Sequence, residues 1–90
     1  MPSTSSKEKV LIVRNKLGLH ARPAALFVQI ANKFDAEISV KKGRKVVNGK
    51  SIMGIMMLAA TQGSKIKISA KGVDAQQALD ELERLVSSEE

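Results

Sequence analysis

Two segments of the chain alternate between apolar and polar residues, and they constrain the fold more than any other feature. In residues 36–42, AEISVKK, every second side chain is apolar, and the pattern returns in 65–72, KIKISAKG. Successive side chains of a strand point to opposite sides of its sheet, so one side is expected to meet water while the other carries helices. The inward-facing set comprises Ala36, Ile38 and Val40, and then Ile66, Ile68 and Ala70.

Two further strands are expected. KVLIVRN, residues 9–15, is a β-branched run with apolar residues on both faces, which predicts a central strand. The Lys-Gly pair at 42–43 predicts a turn, and KVV at 45–47 predicts the return strand of a hairpin. Residues 1–8 are polar and rich in Ser and Thr, which predicts a flexible N-terminal tail before a single domain over 9–88.

Three segments have features of helices. Ala24, Phe27, Ala31 and Phe34 form one apolar stripe. IMGIMMLAA predicts a short helix that Gly63 can end. Before the third helix, Asp74 and a glutamine three positions later resemble a capping box. The stripe of the third helix comprises Ala78, Leu79, Leu82, Leu85 and Val86.

The resulting order, β-α-β-β-α-β-α, predicts an α+β fold, an open sandwich with much antiparallel pairing. The 90 residues suffice for one modest core. No apolar run approaches the roughly 20 residues that a membrane span needs, and the N-terminus does not resemble a secretory signal. The chain has no cysteine, so disulfides and thiolate chemistry are excluded. We expect a cytoplasmic protein without membrane insertion.

The charges are distributed unevenly. Residues 1–73 carry 14 Lys or Arg against 3 Asp or Glu, whereas residues 74–90 carry 1 Arg against 6 acidic residues. A basic body suits nucleic acid, a phosphorylated ligand or an acidic protein surface, although a solvated lysine face has the same composition. RNA-binding modules commonly stack bases on aromatic side chains. Both Phe fall on the helical stripe that faces the core, and Tyr and Trp are absent, so we expect no nucleic-acid partner.

GLHARPA, residues 18–24, contains the single histidine of the chain, where a loop is expected to become a helix. Pro23 is tolerated in a first helical turn and disfavours helical angles at the preceding residue, so the helix can begin anywhere from 20 to 23. The backbone N–H groups at a helix start bind anions, and Arg22 adds a positively charged guanidinium group whose forked N–H donors fit phosphate. Since neutral imidazole is a nucleophile, this setting suits a phosphoryl group on His20, while a surface or capping histidine stays open.

GLHARPA and, at the expected distance, NGKSIMGIM (48–56) resemble the two motifs of the histidine-containing phosphocarrier (HPr) family of the bacterial phosphotransferase system. The resemblance covers nearly the whole chain after the tail. It implies an open-faced β-sandwich in which three helices cover one face of a four-stranded antiparallel sheet. Leu17 departs from the small polar residue of many members, so a side-chain contact from there to phosphate is absent. NKLGLHARP is most similar to proteobacterial members, including the nitrogen-related branch, which leaves sugar transport open.

The resemblance also implies what the first motif does. His20 accepts phosphate at Nδ1 from the phosphohistidine of enzyme I, which phosphoenolpyruvate charges, and passes it to an enzyme IIA domain. Arg22 balances the charge of the phosphoryl group, and the helix start, with Gly18, Ala21 and Pro23, supports its oxygens. The chain is then a phosphate carrier rather than an independent catalyst. We expect a monomer that needs no cofactor and no metal.

NGKS, residues 48–51, is not a nucleotide-binding loop. Gly43 precedes Gly49 by six positions, where a Walker A loop needs five, and the residues between them are expected in a strand. Ser51 lies where a helix N-cap belongs, and this structural role explains it from the residues alone. The resemblance implies that Ser51 is also a regulatory site, phosphorylated from ATP by HPr kinase/phosphorylase, which weakens transfer to and from His20.

The helix after Ser51 has more apolar residues than one buried stripe can hold, so some of them face outward. Methionine adapts to different surfaces, and an exposed patch of Met and Ile suits docking to several partners. Ile55 or Met56 can belong to the core. The resemblance implies a partner-docking surface that comprises Leu19, Ala24, Ile52, Met53 and Met56.

Overall fold

The computed structural model describes residues 6–88 of the chain. Four strands form one sheet, in the order β1-β4-β2-β3, and every neighbouring pair is antiparallel. Three helices complete an α+β fold with the order β-α-β-β-α-β-α, which confirms the predicted fold class. The elements are β1 (Ser6–Ile12), α1 (Ala21–Ala31), β2 (Glu37–Lys42), β3 (Lys45–Asn48), α2 (Ile52–Met57), β4 (Lys65–Lys71) and α3 (Ala75–Val86).

The two alternating segments form neighbouring strands of the sheet, β2 and β4. Val40 lies opposite Ile68 and Ile38 lies opposite Ala70, so the apolar side chains share one face. All six residues of the predicted inward-facing set are buried. Polar partners such as Ser39 and Ser69 lie opposite each other on the face away from the helices. The alternation thus determines which face carries the core.

β1 differs from its prediction in position and in extent. It pairs with β4 alone and lies at an edge of the sheet, so it is not a central strand. Leu11 is buried, whereas Val10 and Ile12 are 55% and 39% exposed on the open face. The strand begins at Ser6, and Ser6–Glu8 pair with β4, so this part of the predicted tail is strand instead. The remainder of that tail, 1–5, lies outside the described residues.

α1 covers the sheet with the predicted stripe. Ala24, Phe27 and Ala31 are fully buried, and Phe34 is 9% exposed. The helix itself ends at Ala31, so Phe34 reaches the core from the turn that follows. Both phenylalanines therefore face the core as predicted.

α2 is shorter than its apolar run. It ends at Met57, and Gly63 lies in a later turn with φ +88°. Ala59 is the non-glycine residue with positive φ among the described residues, at +52°. This left-handed residue turns the chain away from the helical path. The structure therefore places the helix end earlier than the glycine signal predicts.

α3 packs its apolar stripe on the sheet, with Leu85 half-buried and the other four predicted residues buried. The predicted capping box is wrong. The carboxylate of Asp74 accepts hydrogen bonds from the backbone N–H groups of Asp35 (2.9 Å) and Ala36 (2.9 Å), not from its own helix. Asp74 thus joins the start of α3 to the start of β2.

Acidic residues of α3 pair with the basic body. The Lys9 ammonium group donates to the Glu83 carboxylate at 2.6 Å, and Lys33 donates to Glu81 at 2.7 Å. The hydrogen bond to Glu83 raises the pKa of Lys9 above its usual value. None of the helices in the described part of the chain has the length and apolar character needed to cross a membrane.

Candidate functional site

His20 is the N-cap residue of α1, with φ −81° and ψ −167°. Its carbonyl oxygen accepts the N–H of Ala24 at 2.9 Å, which begins the helical hydrogen bonding. Its side chain makes no capping hydrogen bond and is half-exposed. The imidazole is therefore not used to complete the helix, and it is accessible to a reaction partner.

The first turn of α1 leaves backbone donors beside the imidazole. The N–H groups of Ala21 and Arg22 have no carbonyl behind them in the helix, and Pro23 has no N–H. The turn contains no acidic residue, so the positive end of the helix dipole is not neutralised there. Arg22 is exposed and adds a guanidinium group. The helix start can hold the oxygens of a phosphoryl group attached to His20.

The loop before His20 is fixed by close backbone contacts. The Leu17 N–H donates to Asn15 Oδ1 at 2.9 Å, and the Leu19 N–H donates to the Ala60 carbonyl at 2.9 Å. Gly18 has φ +73°, and a Cβ built there would lie 2.4 Å from the Ala60 oxygen. Only glycine fits this position, for its backbone angle and for its lack of a side chain.

His20 faces a shallow cleft of about 290 Å³. One wall comes from the last turn of α3, through Leu85 and Val86, and another comes from the preceding loop, through Leu17. Arg22 is the charged residue among those that line the cleft. The arrangement places the imidazole, a cation and free backbone donors around one opening, which suits a bound anion.

The structure corrects two members of the predicted docking surface. Leu19 is 6% exposed and Ala24 is 0% exposed, so both belong to the core. Ala24 lies on the buried stripe of α1, and the Leu19 backbone is held by Ala60 with its side chain inward. Pro23 is buried too, so its contribution to the site is the shape of the first turn.

Ser51 is the N-cap of α2, as predicted from its position. Its hydroxyl oxygen accepts the N–H of Gly54 at 3.0 Å, and its carbonyl accepts the N–H of Ile55 at 3.0 Å. The side chain is half-exposed. Ser51 therefore has a structural role in the unmodified protein while its hydroxyl stays near the surface.

An exposed apolar surface lies on α2, which is adjacent to α1. Ile52, Met53 and Met56 are 44%, 70% and 43% exposed and face outward, whereas Ile55 is fully buried. Of the two residues that could belong to the core, Ile55 does and Met56 does not. Three further exposed apolar residues near this surface were not predicted: Leu17, Leu26 and Met57, at 74%, 42% and 62% exposed. A helical projection of 21–31 and 52–57 would have placed Leu26 and Met57 outside the buried stripes of their helices.

A comparison with protein families matches residues 7–88 to the family described as PTS HPr component phosphorylation site. The chain belongs to the HPr family. The HPr-like protein Crh of Bacillus subtilis is 51% identical over 77 residues, which are 86% of this chain and 91% of Crh. The phosphocarrier protein HPr of Treponema pallidum is 47% identical over 77 residues, 86% of this chain and 88% of that protein.

Solved structures of HPr proteins have the same fold. The crystal structure of an HPr from Bacillus anthracis has a TM-score of 0.89 and 52% identity, and covers 92% of this chain and 99% of that one. Crh of B. subtilis, at TM-score 0.72 and 51% identity, covers 82% and 85% of the two chains and was solved as a dimer with a swapped domain.

Proposed function

We propose that this HPr-family chain carries a phosphoryl group on His20, taken from phosphorylated enzyme I and passed to an enzyme IIA domain. The observation that supports it most is the free imidazole at the N-cap of α1, beside unpaired N–H groups and Arg22. The family match, described as a phosphorylation site, points the same way.

The chemistry is a transfer between two imidazoles. A lone pair of His20, at Nδ1 in this proposal, attacks the phosphorus of the donor phosphohistidine. The new N–P bond forms as the N–P bond of the donor breaks, and the electron pair stays on the donor ring. The N–H groups of Ala21 and Arg22 hold phosphoryl oxygens, and the Arg22 guanidinium offsets their charge. The turn that Gly18 and Pro23 shape keeps these donors in place.

Ser51 is the proposed control point, phosphorylated by HPr kinase/phosphorylase. A phosphate at the start of α2 is electrostatically compatible with the helix, so regulation does not require unfolding. It adds about two negative charges beside Ile52 and Met53, on the surface proposed to dock enzyme I and enzyme IIA. The added charge and its hydration then oppose apolar docking.

We further propose that the carrier is cytoplasmic and acts as a monomer during transfer. The swapped dimer of Crh shows that a chain of this fold can also assemble as a dimer. Light scattering before and after phosphorylation tests the monomer. A transfer-competent species with twice the chain mass would contradict it.

The test is the intact mass of the chain after incubation with enzyme I and phosphoenolpyruvate, with His20→Ala as the matched variant. We expect one acid-labile phosphoryl group on the native chain and none on the variant. Absence of a gain, with the same enzyme I active on another HPr, would contradict the carrier function. Gain on the variant would place the phosphate on another residue.

A second candidate function is regulation without transport. Its support is the similarity to Crh, described as the catabolite repression HPr of B. subtilis, together with the intact Ser51 cap. In this case the serine kinase and ATP add an acid-stable phosphate to Ser51, while enzyme I adds none to His20. Intact mass after separate incubations with enzyme I and phosphoenolpyruvate and with the serine kinase and ATP, each with and without acid treatment, separates the two functions.

A further inference from the structure

The side chain of Lys42 crosses from the end of β2 to the end of α2. Its ammonium nitrogen donates to the carbonyl oxygens of Leu58 (3.3 Å) and Ala59 (3.1 Å). Lys45, directly opposite in the hairpin, donates to the carbonyl of Met57 at 3.0 Å. The last carbonyls of a helix lack partners and carry negative partial charge, so these lysines complete the C-terminus of α2.

Lys42 contacts the one peptide of this segment whose conformation is unfavourable. Ala59 has φ +52°, where the Cβ of an L-residue crowds its own carbonyl. Such a residue persists when its surroundings hold it. The Ala59 side chain is exposed, so packing of its methyl group cannot do so. The Ala59 N–H donates to the Met56 carbonyl at 3.1 Å, which holds the amide side of the residue, and the ammonium group of Lys42 is the polar contact to its carbonyl.

The residue after Ala59 reaches the His20 loop. The carbonyl of Ala60 accepts the N–H of Leu19 at 2.9 Å, immediately before the N-cap of α1. A Cβ on Gly18 would lie 2.4 Å from the same oxygen, so the two backbones are in close contact. Because Ala60 directly follows Ala59, a change in the backbone angles of Ala59 is expected to shift the Ala60 carbonyl, which is the acceptor for the Leu19 N–H.

We propose that Lys42 is a positioning residue for the His20 site. Its ammonium group holds Ala59 in the left-handed conformation, and Ala59 places the Ala60 carbonyl that fixes Leu19 and the start of α1. Lys42 touches no reacting atom and acts through this backbone connection. The proposal rests on the proposed phosphocarrier function and adds to it a residue outside both sequence motifs.

The experiment is amide hydrogen exchange of the Leu19 N–H in the unphosphorylated chain. Lys42→Met removes the charge and keeps a long side chain. We expect Leu19 to exchange roughly 5–30-fold faster, the factor that corresponds to the preference of an L-residue against the left-handed region. Lys45→Met is the matched control, because it frees the Met57 carbonyl inside the helix and leaves the Ala59 peptide held. We expect Leu19 exchange to be unchanged in that control.

Two further substitutions test whether Lys42 acts through the conformation of Ala59 or only through a general loss of stability. Ala59→Gly removes the conformational penalty, so in the Lys42→Met background it is expected to return Leu19 exchange to the native rate. Lys42→Arg retains donors and charge and is expected to remain near native. In phosphoryl transfer from enzyme I with this chain as the acceptor, Lys42→Met is expected to lower kcat several-fold and to leave the KM for the chain unchanged. Adding Ala59→Gly to Lys42→Met is expected to restore kcat.

Unchanged Leu19 exchange in Lys42→Met would overturn the proposal, and so would equal acceleration in Lys45→Met. Failure of Ala59→Gly to restore the native rate would show that Lys42 does not act through the left-handed peptide. Because exchange is read without phosphate, a native chain that never becomes phosphorylated contradicts the carrier function alone.

Discussion

The starts of α1 and α2 are both proposed phosphorylation sites, and they are built in opposite ways. Ser51 turns its hydroxyl into the helix and accepts the N–H of Gly54 at 3.0 Å. His20 occupies the same cap position but leaves the N–H groups of Ala21 and Arg22 without a side-chain acceptor. The start of α2 has a side-chain cap in the unmodified chain, whereas the start of α1 has none and leaves backbone donors for an anion.

This difference suits the two sites to different proposed roles, phosphoryl transfer at His20 and regulation at Ser51. A phosphoryl group on His20 can take the place of the missing cap, so the modified and unmodified chains share one backbone. A phosphate on Ser51 replaces a hydroxyl that already caps the Gly54 N–H, so we expect its main effect to be the charge added to the neighbouring docking surface. Substitutions at His20, Gly18, Asp74 and Ser51, with matched controls, test this contrast.

His20→Ala is expected to have the largest effect, complete loss of the acid-labile phosphate. Because the imidazole makes no capping hydrogen bond, the free energy of unfolding should change by less than about 0.5 kcal/mol. Intact mass and urea unfolding of the same samples check both statements. An unfolded variant would show that the His20 imidazole contributes to the stability of the fold.

Gly18→Ala tests whether the loop in front of His20 depends on close backbone approach. The added Cβ meets the Ala60 oxygen at 2.4 Å, and the backbone is left-handed at φ +73°. We expect a loss of about 2–4 kcal/mol of unfolding free energy. Gly43→Ala is the matched control, since φ is +60° there with nothing within 4 Å of the Cβ. An equal loss in both variants would show that the contact with Ala60 is unimportant.

Asp74→Ala extends the comparison to α3, whose N-cap side chain serves another segment. It removes the acceptor of the Asp35 and Ala36 N–H groups, and we expect a loss of about 2 kcal/mol. Asp80→Ala, on the exposed side of α3, is the control and should cost much less. Urea unfolding measures both. A loss no greater than that of the control would mean that water replaces the Asp74 carboxylate.

Among the variants expected to lose stability, Ser51→Ala is expected to lose the least, about 1 kcal/mol from the missing cap. Ser51→Asp retains a cap acceptor, so stability should remain near native while phosphoryl exchange with enzyme I becomes slower. Ser39→Asp places the same charge on the open face of the sheet and should leave exchange unaffected. If Ser51→Asp and Ser39→Asp slowed phosphoryl exchange equally, the effect would come from the net charge of the chain and not from the position of the charge on α2.

The candidate sites and most elements follow from local sequence patterns. The alternation at 36–42 and 65–72 predicts two strands and their buried faces, because side-chain direction has a period of two. The cap at Ser51 follows from a residue type that favours helix starts, whereas Pro23 only confines the start of α1 to residues 20–23. These features depend on neighbours a few residues apart, so one sequence suffices to place them.

The remaining features depend on contacts between distant residues. β1 is apolar on both faces yet lies at the edge, because strand order is decided by pairing with β4 across more than fifty residues. Asp74 looks like a helix cap and instead binds the start of β2, and Leu19 is buried because Ala60 holds its backbone. Sequence by itself determined the order of the elements, the buried faces of β2 and β4, and the cap at Ser51. Only the tertiary structure decided the strand order, the partners of the Asp74 carboxylate and the contact between Leu19 and Ala60. These contacts join segments that are far apart in the chain, so no local sequence pattern predicts them.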